Sequence, residues 1–175
     1  MKRMLWIFPA LLLICISARA QETPAWEFSG GYSYLRADLG GSSFNLNGVT
    51  TSATQNLNSW FGGRFEVSAY HGKESSTTVS AQTLMYGPVV SFHRLKGIDP
   101  FAYAQFGGIH ASAGYAGISQ NAFKFAMAGG AGVDVPVFKS LAVRVQAAYM
   151  ITRFLSANQN NLQGTVGLVY RWGSK

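Results

Sequence analysis

Two side chains in this sequence have the types and the spacing for covalent chemistry. His110 and Ser112 form an H-x-S pair, a base beside a hydroxyl, which is the minimum for nucleophilic attack. A complete site adds a third group that orients the base, and the bare pair does not supply one. The other histidines, His71 and His93, follow two antiparallel strands and so map to opposite rims, and no metal-ligand cluster is expected. There is no phosphate-cradling loop or dinucleotide fingerprint, and no cofactor is expected.

The remaining chemistry-bearing residues are isolated charges inside apolar stretches: Glu27, Arg64, Glu66, Lys124, Asp134, Arg144 and Arg171. The stretch LAVRVQAAYMIT, residues 141–152, shows the pattern. Leu141, Val143, Val145, Ala147, Tyr149 and Ile151 recur at spacing two, and Arg144 and Gln146 fall between them. Spacing of two is the signature of a strand with two different faces.

Lys2 and Arg3, the apolar stretch from Leu5 to Ser17 and the A-x-A site at Ala18–Ala20 read as a secretory signal peptide over residues 1–20. The apolar stretch falls short of the ~20 residues that a membrane helix needs. Ile14 before Cys15 does not suit a lipidation box. The domain is then residues 21–175, one unit without cysteine. Without Lys2, Arg3 and Arg19 it carries 11 basic and 7 acidic residues. A soluble domain of that length would carry roughly 39 charges, so much of the exterior is expected not to face water. No Lys/Arg cluster of the kind nucleic acid requires is present.

Eight strands are expected, each paired with its sequence neighbours: 26–35, 47–57, 61–70, 79–92, 101–111, 123–135, 141–152 and 162–172. Six can be given a polar face and an apolar one, and the second is weakly patterned and rich in Thr and Asn. The fifth cannot, and Pro88 disturbs the fourth by removing a ladder donor. Compact turns are expected at 56–59, 93–99 and 136–140. Longer polar loops are expected near 36–46, 71–78, 112–121 and 153–161, the asymmetry seen in transmembrane barrels. At about ten residues per strand eight strands leave room for these connections, whereas ten would need very tight loops.

Alternation alone does not orient the sheet, because a soluble barrel alternates too. The low charge, the small residues on the polar faces (Ser29, Ser33, Ser68, Gly87, Gly130, Gly167) and the tryptophans point the apolar faces at lipid. Trp26, Trp60 and Trp172 map to one rim with Phe92, Phe101 and Phe138; Tyr34, Tyr70, Phe123 and Tyr149 map to the other. Two such girdles are what a barrel wall shows where it crosses two membrane interfaces. Arg144 against hydrocarbon would cost roughly 2–4 kcal/mol near the midplane, so the charges are expected in the lumen as a paired network. Inside a bilayer every backbone donor must be paired, which requires closure. The expected fold is all-β: an eight-stranded antiparallel up-and-down transmembrane β-barrel.

The segments WEFSGGYSYLRAD, FAYAQFGGIHASAG, FAMAGGAGVDV, AYMITRF and QNNLQGTVGLVYRW resemble the small OmpA-like barrels of the outer membrane beta-barrel domain family. The resemblance implies a bacterial outer-membrane location, with the lipid bilayer as partner, both termini in the periplasm and a monomer. It also implies recognition of the C-terminal strand by the barrel-assembly machinery. Trp172 would be the terminal aromatic of that signal, although Gly173, Ser174 and Lys175 follow it. No peptidoglycan-binding domain is expected after the barrel, so cell-wall anchoring is not implied. The favoured function is a non-enzymatic structural or surface-interaction role, with a lumen plugged by polar side chains. A narrow pore of low conductance is the alternative. A third reading is lipid A modification, because deacylases of eight strands use His and Ser at the spacing of His110 and Ser112. Their orienting acid stands about a dozen residues on, where this sequence has Lys124.

Overall fold

The computed structural model describes residues 23–39, 42–74, 77–92, 97–115, 118–154 and 157–174. The signal-peptide segment 1–20 and His93 lie outside them. Eight strands run in chain order: β1 (Pro24–Leu39), β2 (Ser42–Asn56), β3 (Phe61–Glu74), β4 (Thr77–Ser91), β5 (Asp99–Tyr115), β6 (Ile118–Phe138), β7 (Leu141–Phe154) and β8 (Ala157–Ser174). Each is antiparallel to its neighbours, and β8 closes on β1 through pairs such as Phe28–Tyr170 and Ser33–Thr165. The architecture is the closed all-antiparallel barrel expected from the alternation.

The register fixes the dimensions. Followed round the barrel from Glu27 and its partner Thr54, it returns to β1 at Ala37, the partner of Asn161, ten residues above its start. With strands ~4.8 Å apart and ~3.3 Å of rise per residue, that stagger gives a tilt of roughly 40° and a backbone radius of about 8 Å. Side chains from facing walls meet across so narrow an interior.

The faces of the six strands that could be read lie as expected. On β7, Arg144, Gln146 and Ala148 are buried inside, while Val145, Ala147 and Tyr149 are exposed outside. On β5 the odd residues point in. Phe101, Tyr103 and Ile109 are buried, and Ala102, Ala104, Phe106 and His110 are exposed. Apolar residues therefore occupy both faces of β5, which is why its sequence has no legible polarity. Two aromatics expected on the exterior are corrected accordingly: Phe101 and Tyr70 face the lumen and are buried.

The loops expected near 36–46, 71–78, 112–121 and 153–161 are largely strand. β1 and β2, β3 and β4, β5 and β6, and β7 and β8 are each separated by two residues. Ser, Asn, Gln and Gly in these segments read as loop because the wall there faces polar surroundings on its outer side. Asn45, Asn47, His71, Gln82, His110 and Asn160 are all exposed there. Pro88 stays within β4, on the exposed face. The β4–β5 register is unchanged on either side of it, from Tyr86–Phe106 to Val89–Tyr103; only the local ladder gives way, where the ring supplies no N–H. A bulge near Pro136 and Phe138 adjusts the end of β6.

The lumen is layered. Next to the rim that holds both termini is a charged layer. Above it, hydroxyls bond across three successive strand pairs: Ser33 to Thr165 at 2.6 Å and to Thr50 at 2.7 Å, and Thr50 to Ser68 at 2.8 Å. The far half holds an apolar cluster, with Leu35, Leu46, Met85, Ile109 and Met150 buried together around Tyr70, beside Asn161, which donates to Thr152 at 3.2 Å. The interior is thus less uniformly polar than its small polar-face residues imply.

Val145 is nearly half exposed, on the outer wall midway between the rims. Val145→Arg should lower the folding stability by about 2–4 kcal/mol in a bilayer. Val145→Leu should change it by less than about 0.5 kcal/mol. Urea titration of the folded, gel-shifted band in lipid vesicles measures both.

Candidate functional site

The charged layer draws on seven strands. On β7, Arg144 donates from Nε and Nη2 to the two carboxylate oxygens of Asp134 on β6, at 2.7 and 2.8 Å. The same Nη2 reaches Glu27 Oε2 on β1 at 2.9 Å. Arg171, on β8, spans Asp99 Oδ2 of β5 at 2.8 Å and Asp134 Oδ2 at 3.3 Å. Arg64, on β3, pairs with Glu66 Oε2 at 2.6 Å and donates to Gln146 Oε1 at 2.8 Å across the lumen. Asn56 of β2 donates to the Pro24 carbonyl at 2.9 Å and to Glu27 at 3.4 Å.

Aromatic rings fill the space between the guanidinium groups. Phe101 and Tyr103 stack at 6.1 Å. Arg144 lies over the Phe101 ring at 4.4 Å, and Arg64 over the Tyr103 ring at 4.6 Å. Among the described residues, Arg64 Nε and Nη1 meet no hydrogen-bond acceptor; the ring faces are their neighbours instead, a cation–π contact that gains strength out of water. Val89 of β4 packs with both rings and Ala148, so the eighth strand contributes as well.

Glycine makes room for these groups. An added Cβ at Gly132 would stand 2.6 Å from the Phe101 ring, and one at Gly130 would stand 2.5 Å from the Tyr103 ring. Gly167 is the register partner of both Gly31 and Arg144. A Cβ on Gly167 or Gly31 would meet the backbone of the neighbouring strand. A small cavity remains between Ser29, Thr50, Arg144, Gln146 and Thr165. The centre of a water molecule has about 10 Å³ to move in there, room for one water.

Six of the seven expected lumen charges, Glu27, Arg64, Glu66, Asp134, Arg144 and Arg171, come together in this layer. Lys124 does not: it is half-buried on the inner face of β6, ten residues from Asp134, or ~33 Å of strand. Sequence reasoning missed Asp99, Phe101 and Tyr103. Asp99 stands before Pro100 and reads as the end of a turn. Its register pairing with Asp134, which brings two carboxylates to one arginine, is not visible without the barrel.

The exterior aromatics lie on the outer wall. Trp60 and Trp172 are exposed at the rim of the termini, and Trp26 stacks on Phe28 at 6.1 Å. Tyr34 and Tyr149 are exposed farther up, and Tyr34 donates to Asn45 Oδ1 at 2.6 Å. His110 is exposed outside and Ser112 half-buried. Glu27, Glu66, Asp99 and Asp134 are buried in the lumen, so none of these four orients His110. Among the described residues no group of three His, Cys, Asp or Glu is placed to hold a metal.

Buried ions that lose one partner are strongly destabilised. Arg144→Met strands Asp134 and Glu27 and should cost about 3–5 kcal/mol. Arg144→Lys keeps the charge, loses the two-pronged contact, and should fall between that variant and the parent. Urea midpoints of the folded barrel in lipid vesicles give both values.

Among solved structures, Neisserial surface protein A is similar over 87% of this chain and 100% of its own, with a TM-score of 0.74 at 14% identity. Ail, the attachment invasion locus protein of Yersinia pestis, gives 0.63 at 18% identity over 86% of this chain and 99% of its own. The N-terminal β-barrel domain of Pseudomonas aeruginosa OprF gives 0.56 at 12% identity, over 86% and 100%. At these identities the likeness is one of fold. A sequence comparison with curated proteins gave no match. The family model described as the outer membrane protein beta-barrel domain matches residues 7–171, and the closed eight-stranded barrel has the architecture of those structures. The chain therefore belongs to the outer membrane protein beta-barrel domain family.

Proposed function

We propose that this protein is a monomeric, non-enzymatic barrel of the bacterial outer membrane with a closed lumen and a structural or surface-interaction role. The observation that carries the reading is the charged layer itself. Its ion pairs and ring contacts link strands up to three apart, the Arg64–Gln146 hydrogen bond crosses an interior of about 8 Å radius to the facing wall, and large side chains lie beside glycines of the neighbouring strand. A solute would have to break several buried ion pairs at once, each against a penalty of several kcal/mol. The layer serves to brace the wall, and permeation is slight. Names such as surface protein and attachment protein among barrels of this fold support a surface role over transport. Both termini and Trp26, Trp60 and Trp172 share one rim, which favours that rim as the periplasmic one. The C-terminal strand ending near Trp172 is the segment that the assembly machinery would engage.

In planar bilayers the purified protein should give no discrete conductance steps. Stable channel openings would replace the closed-lumen reading with a narrow pore. Orientation has its own test, since the only cysteine, Cys15, lies in the expected signal peptide. On intact cells a membrane-impermeant maleimide should label Asn45→Cys and leave Asn58→Cys unlabelled; the reverse pattern would invert the barrel.

A further inference from the structure

Seven of the eight neighbouring strand pairs are consecutive in the chain, joined by connections of two to seven residues. A short connection fixes the register of the strands it joins. The eighth pair, β1 with β8, has no connection, and alternation alone does not fix it. A slip by one residue would turn every side chain to the wrong face, but a slip by two restores the faces. Sliding β1 two residues along β8 in either direction keeps the apolar wall on lipid. It changes the stagger of the barrel from ten residues to eight or twelve.

Inside the lumen such a slip has unequal consequences. Ser33 and Thr165 bond across the seam at 2.6 Å. After a slip Ser33 would stand beside Gly167 or beside Gln163, and Gln163 is another hydrogen-bonding group. Gly31 and Gly167, partners in the seam, would each face a larger residue. Glu27 would lose more. It is buried beside Arg171 of β8, and its Oε2 accepts from Arg144 Nη2 of β7 at 2.9 Å. That contact spans β8, where the residue beside Arg144 is Gly167. A slip would carry the carboxylate roughly 7 Å along the lumen and set it beside Val169 or Gly173 in place of Arg171. Neither arginine is free to follow. Asp134 holds Arg144 through both carboxylate oxygens, and Arg171 is held by Asp99 and Asp134. A buried charge parted from its partner costs several times what a hydroxyl pair contributes.

We propose that the Glu27–Arg144–Asp134–Arg171 network is a register lock for the closing seam. It selects the ten-residue stagger from the even-numbered alternatives that the wall pattern accepts, with Glu27 as the positioning residue on β1. The lock goes beyond the bracing role and does not depend on a closed lumen. Channel openings in planar bilayers would refute the closed lumen and leave the lock standing.

The test is cross-linking on the outer wall. Gly30 is the partner of Leu168, and Val166 and Tyr170 stand two residues to either side of it. All four are exposed, and a Cβ at Gly30 meets nothing within 4 Å. Cysteines with Cα atoms more than ~7 Å apart are not bridged, so Gly30→Cys combined with Val166→Cys, Leu168→Cys or Tyr170→Cys reports one register each. The pairs are oxidised in the folded, gel-shifted barrel in lipid vesicles. In the parent background the 30–168 pair should close at least tenfold more than either other pair. Glu27→Leu with Asp134→Leu and Arg144→Met leaves the Arg171–Asp99 and Arg64–Glu66 pairs in place. In that background the barrel should still fold, and a slipped pair should rise to at least a third of the 30–168 yield. Ser33→Ala with Thr165→Ala should keep the parent pattern. Moving the carboxylate up β1, by Glu27→Ser with Ser29→Glu, should shift the dominant pair to 30–170. A folded network-free barrel that keeps 30–168 tenfold ahead would overturn the lock, since the seam glycines and hydroxyls would then set the register. If the network-free barrel does not fold, the moved carboxylate decides: a dominant pair that stays at 30–168 overturns the lock.

Discussion

Inside hydrocarbon an unpaired backbone N–H or C=O has no water to turn to, and each one left over costs several kcal/mol. A sheet meets that condition only by closing on itself. The β1–β8 ladder, running from Pro24–Ser174 to Ala37–Asn161, is what completes the pairing. The other features of the molecule follow from it. Closure with eight strands and a ten-residue stagger sets the bore, and the bore decides what the inner face can hold.

About 8 Å of radius is too little for two walls of large side chains and too much for two walls of small ones. The lumen mixes them within the wall: Arg144 is the register partner of Gly167 on the next strand, and the Phe101 and Tyr103 rings lie over their partners Gly132 and Gly130. Burying arginine and carboxylate in such a space is unfavourable unless each finds its partner. The pairing here is shared, so that Asp134 serves both Arg144 and Arg171. A shared network of this kind ties the positions of several strands together.

The same closure shelters charge inside. Glu27, Glu66, Asp99 and Asp134 can be held in the lumen because arginines are there to meet them, and the wall outside is apolar with polar groups at the edge far from the termini. A bacterial outer-membrane barrel of this kind presents to its surroundings a strand-built polar edge more than loops. Its contacts at that edge are therefore set by residues in fixed register, such as Arg36, Asn47 and His71.

The sequence alone determined the strand count, the closure and the inward placement of Glu27, Arg64, Asp134 and Arg144. Alternation with period two is a local property, and a charge amid apolar neighbours has one sheltered side to choose. The faces of β5 were not legible, because Phe101, Tyr103 and Ile109 inside are balanced by Phe106 outside and by alanines that favour neither. The polar ends of the strands read as loops, because composition reports the medium around a residue and not its backbone pairing. Only the tertiary structure decided which charges meet. Asp99 and Arg171 stand 72 positions apart in the chain, and register and stagger bring them to 2.8 Å; that distance depends on the path around the whole barrel, and no local pattern encodes it.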